Sequence, residues 1–133
     1  MKFILAIDYD GTLFDSDLRH NNGPHIAVVQ QTLRFCNHPG CDVILWTCRE
    51  GVLLAEAVKM CEQFDIIFDA VNTNSQETIE FNQNYFGRQG DTCGRKIFAD
   101  LYVDDRAPGS IEYFLKLDPE VEFQKKVQQR KNT

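Results

Sequence analysis

The segment FILAIDYDGT, residues 3–12, gives the clearest indication of the fold of this chain. Its first five residues, Phe3–Ile7, are apolar without alternation, which is typical of a strand buried on both faces of a parallel sheet. The run then ends abruptly in two aspartates, a glycine and a threonine, which favour a turn. The sequence therefore predicts a central strand whose carboxyl end holds polar side chains.

The rest of the chain alternates between strand and helix patterns. Three further apolar runs predict strands at residues 43–46, 66–71 and 97–103. Stretches with helical spacing separate these runs. We expect Pro24 to be the first residue of one helix and Ser110 to cap another helix over residues 111–117. This alternation predicts an α/β fold, with one doubly wound parallel sheet flanked by helices.

Length, charge and cysteine content narrow the class of protein. The chain of 133 residues is the size of a single domain, so we assign residues 1–133 to one unit. Its net charge of −6 disfavours non-specific binding to nucleic acid. No apolar run approaches the roughly 20 residues of a membrane span, and the amino terminus does not resemble a signal peptide. The odd number of cysteines, without a CxxC motif, favours reduced thiols and a cytoplasmic location.

Acidic residues cluster where predicted strands end. Asp8 and Asp10 follow the first strand, and Asp104 and Asp105 follow the last. In a doubly wound sheet such ends meet at one edge, and two unit charges about 4 Å apart there cost about 4 kcal/mol at an effective dielectric near 20. The sequence therefore predicts a site for Mg²⁺, which binds carboxylates and phosphate oxygens. The alternative is that some of these acids are helix caps or surface charges.

Other residues at these strand ends suit the binding of a phosphate group. Gly11 and Thr12 are expected to offer backbone N–H groups to phosphate oxygens. Thr47, after the second strand, can donate a hydroxyl hydrogen bond. Lys96, before the last strand, supplies a compact positive charge that can hold both phosphate and nucleophile.

This ordered set of residues resembles the motifs of the haloacid dehalogenase (HAD) superfamily. The resemblance rests on DYDGT at residues 8–12, then Thr47, Lys96 and Asp104-Asp105. It spans residues 3–109, most of the chain, and implies a Rossmann-like fold. The segments LWTCR, residues 45–49, and ADLYVDDR, residues 99–106, are also similar to small phosphatases of this superfamily, including deoxyribonucleotidase-like members.

The resemblance implies a role for each acidic residue. Asp8 would be the nucleophile that forms an aspartyl-phosphate. Asp10 would protonate the leaving group and then deprotonate the attacking water. The implied Mg²⁺ ligands are Asp8, the backbone carbonyl of Asp10, and Asp105, with Asp104 supporting them directly or through water.

More than one residue could supply the cation of the family motif. Thr47 and Lys96 would hold the phosphoryl oxygens. In the family, however, the lysine commonly lies further upstream of the acidic pair, so Arg88 and Arg95 stay alternatives to Lys96.

Residues beside Thr47 are candidates for contact with the substrate. Cys48 and Arg49 are assigned to substrate binding. For Cys48 a packing role is the alternative, and for Arg49 an ion pair with a carboxylate is equally open. The role of Asp100, inside an apolar run, stays undecided, because a buried carboxylate is costly without a partner.

Many family members have a cap domain over the substrate, and this chain has little room for one. Residues 15–23 allow only a short flap, and residues 85–94 a similarly small insert. We therefore expect no cap or a minimal one, and an open site unless a partner subunit of a homo-oligomer covers it. The expected substrate is a phosphorylated small molecule, a nucleotide being one candidate and a sugar phosphate another.

These residues are consistent with two classes of function. The favoured one is a Mg²⁺-dependent phosphomonoester hydrolase. The alternative is a regulatory module, either receiver-like or a catalytically silent binder of phosphate. Receivers have their phosphoacceptor after the third strand and their lysine last, whereas here the third strand ends in Asn72 and Lys96 precedes the second acidic pair. The order of motifs favours the hydrolase.

Overall fold

The computed structural model describes residues 1–86 and 96–131. In chain order its elements are β1 (Phe3–Ile7), β2 (Phe14–Ser16), β3 (Asn21–Pro24), α1 (Ile26–Cys36), β4 (Cys41–Leu45), α2 (Gly51–Glu62), β5 (Ala70–Val71), α3 (Gln76–Phe86), β6 (Leu101–Val103), α4 (Ser110–Leu115) and α5 (Pro119–Lys131). None of the helices within these residues is long and apolar enough to cross a bilayer.

The main sheet has the order β5-β4-β1-β6, and all its pairings are parallel. The chain adds β4 and β5 on one side of β1 and then returns to add β6 on the other side. Because such crossovers are right-handed, this reversal puts α3 on the opposite face from α1 and α2. The predicted α/β fold, a Rossmann-like doubly wound parallel sheet flanked by helices, is confirmed.

The strand β1 lies at the centre of two hydrophobic cores. Its side chains alternate between the faces of the sheet, as the period of two in a strand requires. Leu5 and Ile7 join the larger core, which α1, α2 and α4 cover. Ile4 and Ala6 join a smaller core with Ile44 on the other face. Burial on both sides explains why residues 3–7 are uniformly apolar.

A hairpin of β2 and β3 forms the short flap that was expected after β1. The prediction that Pro24 begins a helix is wrong, because Pro24 pairs with Phe14 in this hairpin and α1 begins at Ile26. His25 separates the two elements, and its Nδ1–H donates to the Thr12 carbonyl at 2.9 Å. The insertion after β1 is thus a short hairpin rather than a cap domain. The second region considered for a cap, residues 85–94, lies outside the described residues beyond residue 86.

The strands β5 and β6 are shorter than the apolar runs that predicted them. At the amino end of each, an aspartate side chain takes the place of a ladder carbonyl. The Asp69 carboxylate accepts the Val43 N–H at 2.7 Å, and the Asp100 carboxylate accepts the Ile4 N–H at 2.8 Å. Asp100 also pairs with Lys126 at 2.5 Å. The role of Asp100 is therefore structural.

Candidate functional site

Three of the four predicted carboxylates converge at the carboxyl edge of the sheet. Asp8, Asp104 and Asp105 each offer an oxygen, and these oxygens all lie within 4.8 Å of one another. The Asp8 N–H donates to the Val103 carbonyl at 3.0 Å, which extends the β1–β6 ladder by one residue. This register brings the end of β1 beside the acidic pair after β6.

The electrostatics of this cluster favour a bound cation. Burial and then the neighbouring Asp104 carboxylate raise the pKa of Asp8 to about 7, against the lowering effect of a hydrogen bond from the Tyr9 backbone. The pKa of Asp105 is also raised, by burial and then by the neighbouring Asp104. Since like charges and burial both disfavour ionisation, a hard dication with oxygen ligands would relieve the strain. The donor set fits Mg²⁺.

The turn after β1 shapes the place that Asp105 occupies. Gly11 has a positive φ of 78°, and a Cβ there would lie 2.4 Å from Asp105 Oδ2. The Thr12 side chain is fully buried, and its Oγ1 accepts the Asp105 N–H at 3.0 Å. The glycine is therefore needed for the close approach of a carboxylate, and the threonine holds that carboxylate's backbone.

The backbone N–H groups of this turn are not directed as the sequence analysis expected. The Gly11 N–H donates to the Phe14 carbonyl at 2.8 Å, and the Thr12 N–H donates to the Tyr9 carbonyl at 3.3 Å. Both donors close the turn that leads into the hairpin. The expectation that they are free for phosphate oxygens is wrong for this conformation, although both residues do border the acidic cluster.

Asp10 does not join the cluster but pairs with a buried arginine. Its Oδ1 accepts from Arg49 Nη2 at 2.7 Å and its Oδ2 from Arg49 Nε at 2.8 Å. The Ser16 hydroxyl donates to the same Oδ1 at 2.8 Å. Hydrogen bonds from Arg49 lower the pKa of Asp10 below its ordinary value. Asp10 is therefore ionised at neutral pH in this arrangement.

Arg49 is fixed by contacts on several sides. Its side chain is only 8% exposed, and it also donates to the carbonyls of Asp17 at 3.1 Å and Leu53 at 3.3 Å. The guanidinium carbon lies 4.7 Å from the centre of the Tyr9 ring. Of the two roles left open for Arg49, the structure shows the ion pair with a carboxylate. The arginine joins the hairpin and the start of α2 to Asp10.

Thr47 is positioned by a residue whose role the sequence analysis missed. The Thr47 N–H donates to Asn72 Oδ1 at 2.8 Å, and Thr47 Oγ1 accepts the Arg49 N–H at 3.1 Å. The hydroxyl hydrogen of Thr47 is thus left to donate. Asn72 has a left-handed φ of 55°, which asparagine tolerates better than most residues. The sequence does hint at this role of Asn72, because the residue directly follows a strand that ends at this same edge.

Cys48, the residue after Thr47, is exposed.

Lys96 lies on the sheet face of the smaller core. Its Nζ is 5.7 Å from the centre of the Tyr102 ring, and Tyr102 is the register partner of Ala6, two residues before Asp8. Within the part of the chain that the structure describes, Lys96 makes no ion pair with the site carboxylates. The alternatives Arg88 and Arg95 lie outside the described residues, so Lys96 as the motif cation stays a prediction.

Ser110 supports the acidic pair instead of capping a helix. Its hydroxyl donates to the Asp104 carbonyl at 2.8 Å and accepts the Asp104 N–H at 3.1 Å. The residue at the N-cap of α4 is Gly109, so the predicted cap is wrong. The serine is already committed to the backbone of Asp104, which it holds at the end of β6.

Comparisons with known proteins bear on the fold. No protein-family model matches the chain, and no curated protein matches it. A conserved protein from Bacteroides thetaiotaomicron, whose structure is solved, is similar with a TM-score of 0.64 and 26% sequence identity. The alignment covers 97% of this chain and 93% of that one. The chain is thus similar in fold to that bacterial protein over nearly the full length of both.

Proposed function

We propose that the protein is a Mg²⁺-dependent phosphomonoester hydrolase that works through an aspartyl-phosphate on Asp8. The observation that supports it most is the convergence of Asp8, Asp104 and Asp105, with oxygens within 4.8 Å of one another at the carboxyl edge of a parallel sheet. Ligands bind at this edge in doubly wound folds. The resemblance of the motif order to the HAD superfamily supports the same reaction.

The acidic cluster would hold the metal ion through carboxylate oxygens of Asp8 and Asp105, with Asp104 beside them. Bound there, Mg²⁺ would neutralise the charge of the cluster and of the substrate phosphate. Ser110 and Thr12 hold the backbones of Asp104 and Asp105, so the ligands are placed before any ion arrives.

In the first step, an ionised oxygen of Asp8 attacks phosphorus and the bond to the ester oxygen breaks. The Thr47 hydroxyl would donate to a phosphoryl oxygen, and Lys96 would contribute positive charge. The leaving oxygen takes up a proton from the Asp10 carboxyl, which is left ionised for the second step. Since phosphoryl transfer involves little covalent work by the protein, alignment and charge should supply most of the rate.

In the second step, water attacks the phosphorus of the aspartyl-phosphate, and phosphate leaves as the Asp8 carboxylate is restored. Arg49 holds Asp10 in the ionised form, which can accept a proton from this water once the Arg49 contact loosens. Asp10 can donate a proton in the first step only when its hydrogen bonds from Arg49 loosen. Esters with acidic leaving groups, which need no proton, should therefore react fastest.

A phosphate-release assay tests this proposal. Wild type, Asp8→Asn and the exposed-site control Asp15→Asn are compared on aryl phosphates, sugar phosphates, nucleotides and phosphopeptides, with Mg²⁺ or with chelator. We expect release only with Mg²⁺, in wild type and control, and a loss of at least 1,000-fold in Asp8→Asn. Equal release by wild type and Asp8→Asn across the panel would refute it.

A second candidate is a phosphate-accepting regulatory module, receiver-like or catalytically silent. The observation in its favour is the bidentate ion pair between Arg49 and Asp10, which hinders proton donation by Asp10. Such a module would release one equivalent of leaving group from an aryl phosphate and then stop, with phosphate retained on the protein. Steady turnover without a persistent adduct favours the hydrolase.

The cellular setting is also part of the proposal. Cys36, Cys41, Cys48 and Cys61 are free thiols in the structure, in keeping with a reducing compartment such as the cytoplasm. The hairpin is too small to enclose a substrate, so a partner subunit could cover the open edge. Sedimentation of the purified protein would test for such a homo-oligomer.

A further inference from the structure

Four residues that each directly follow a strand line up at the carboxyl edge of the sheet. The register Ile44↔Ala70 and Ile7↔Leu45 continues to the next pairs, and the hydrogen bond from the Trp46 N–H to the Ile7 carbonyl follows it. The resulting row across β5, β4, β1 and β6 is Asn72, Trp46, Asp8 and Asp104. Trp46 is the one large apolar side chain in this row.

Trp46 is on the same sheet face as the nucleophile. It packs against the smaller core with Ala6 and Ile44, and Asp8 follows Ala6 by two residues. Adjacent strands are about 4.8 Å apart, so the register places Trp46 next to Asp8, on the side opposite to Asp104. The acidic cluster therefore occupies one flank of Asp8 and an aromatic side chain the other.

Core packing does not fully account for Trp46. Its side chain is only partly buried, and both its register neighbours, Asp8 and Asn72, are polar. Among residues 1–86 and 96–131 its indole N–H has no hydrogen-bond partner, so this donor is left for water or a ligand. A bulky aromatic side chain in this position presents a flat apolar surface beside the reacting group.

We propose that Trp46 is a specificity-determining residue that stacks on the substrate's leaving group, which is a planar aromatic group. This inference rests on the proposed function and names its substrate class: monoesters whose ring lies one or two bonds from the ester oxygen. Asp8, which would attack phosphorus, lies one strand away from Trp46. A ring can therefore stack on the indole only when few bonds separate it from the phosphorus atom. Aromatic stacking attracts any planar ring, whatever its substituents.

Binding is tested first, without any chemical step. Trp46 is the single tryptophan of the chain, so its emission reports on this site alone. In Mg²⁺ buffer, benzylphosphonate should shift the emission and bind about tenfold more tightly than isobutylphosphonate. By calorimetry this preference should vanish in Trp46→Leu and persist in part in Trp46→Phe, which guards against a folding defect. Equal affinities in wild type would overturn the inference.

Kinetics then separate this inference from the proposed function. Benzyl and isobutyl phosphate have alkanol leaving groups of similar acidity, so their comparison isolates the ring. We expect about a tenfold higher kcat/KM for the benzyl ester in wild type and no preference in Trp46→Leu. Hydrolysis without this preference overturns the role of Trp46 and leaves the hydrolase intact. Preferential binding without any hydrolysis overturns the hydrolase and supports the aromatic site.

Discussion

Replacing Asp8, the proposed nucleophile, by its neutral isostere asparagine should stabilise the metal-free protein. Asp8 lies in a cluster where burial and the Asp104 carboxylate raise its pKa to about 7. Folded Asp8 therefore keeps its proton up to about pH 7, whereas the unfolded chain releases it near 3.8. Because the native state binds more protons over this interval, its free energy of unfolding falls as pH rises from about 4 to about 7. Asp8→Asn removes this fall in the free energy of unfolding, because asparagine does not ionise.

The magnitude follows from the two pKa values. The difference between 3.8 and about 7 corresponds to about 4 kcal/mol at 1.36 kcal/mol per pH unit. Asp8 is partly exposed, and solvent screening reduces this to about 2 kcal/mol. For a domain of this size, that free energy raises Tm by about 8 °C.

Thermal unfolding of both proteins in chelator, from pH 4 to pH 8, measures the effect. We expect Asp8→Asn to melt about 8 °C above wild type at pH 8 and at the same temperature at pH 4, where native Asp8 is protonated. Saturating Mg²⁺ should raise the wild type towards the variant, since the cation neutralises the cluster. A variant that melts at or below wild type at pH 8 would refute the reasoning about this cluster.

Three further substitutions test the supports of the site. Arg49→Met should lower the free energy of unfolding by about 2 kcal/mol in urea, because it leaves a carboxylate without its partner; the exposed-site control Arg19→Met should change it little, and equal effects would contradict the buried pair. Thr12→Val should cost about 1–2 kcal/mol by leaving the Asp105 N–H without an acceptor, whereas Thr12→Ser should not; similar losses in both would argue against this hydrogen bond. Gly11→Ala places a Cβ 2.4 Å from Asp105 Oδ2, so calorimetry should show at least tenfold weaker Mg²⁺ binding, and unchanged affinity would exclude Asp105 as a ligand.

The sequence predicts the sheet well because its signals are local and repeated. The uniformly apolar run at residues 3–7 is dictated by burial on both faces, and the alternation with helices dictates parallel pairing. The convergence of Asp8 with Asp104 follows from topology alone, since parallel strands end at one edge. What fails is local detail, as at Pro24, where the hairpin pairing to Phe14 overrides the preference of proline for a helix start.

Side-chain partners are harder to predict because they depend on distances across the fold. Arg49 could have met a substrate phosphate or a carboxylate, and only the hairpin's position puts it on Asp10. Asn72 and Ser110 hold Thr47 and Asp104 through contacts that no sequence spacing encodes. Residues of this kind fix the geometry of the site without belonging to its motif.

Chemical trapping of the phosphorylated residue tests directly whether Asp8 receives the phosphoryl group. Protein is mixed with excess 4-nitrophenyl phosphate and Mg²⁺, quenched in acid and reduced with borohydride, which converts an aspartyl-phosphate to homoserine. Peptide mass spectrometry should find this conversion at position 8, dependent on Mg²⁺, and absent when substrate is omitted. Phosphate release with an unmodified Asp8 in every quench, or conversion at a different aspartate, would contradict the account.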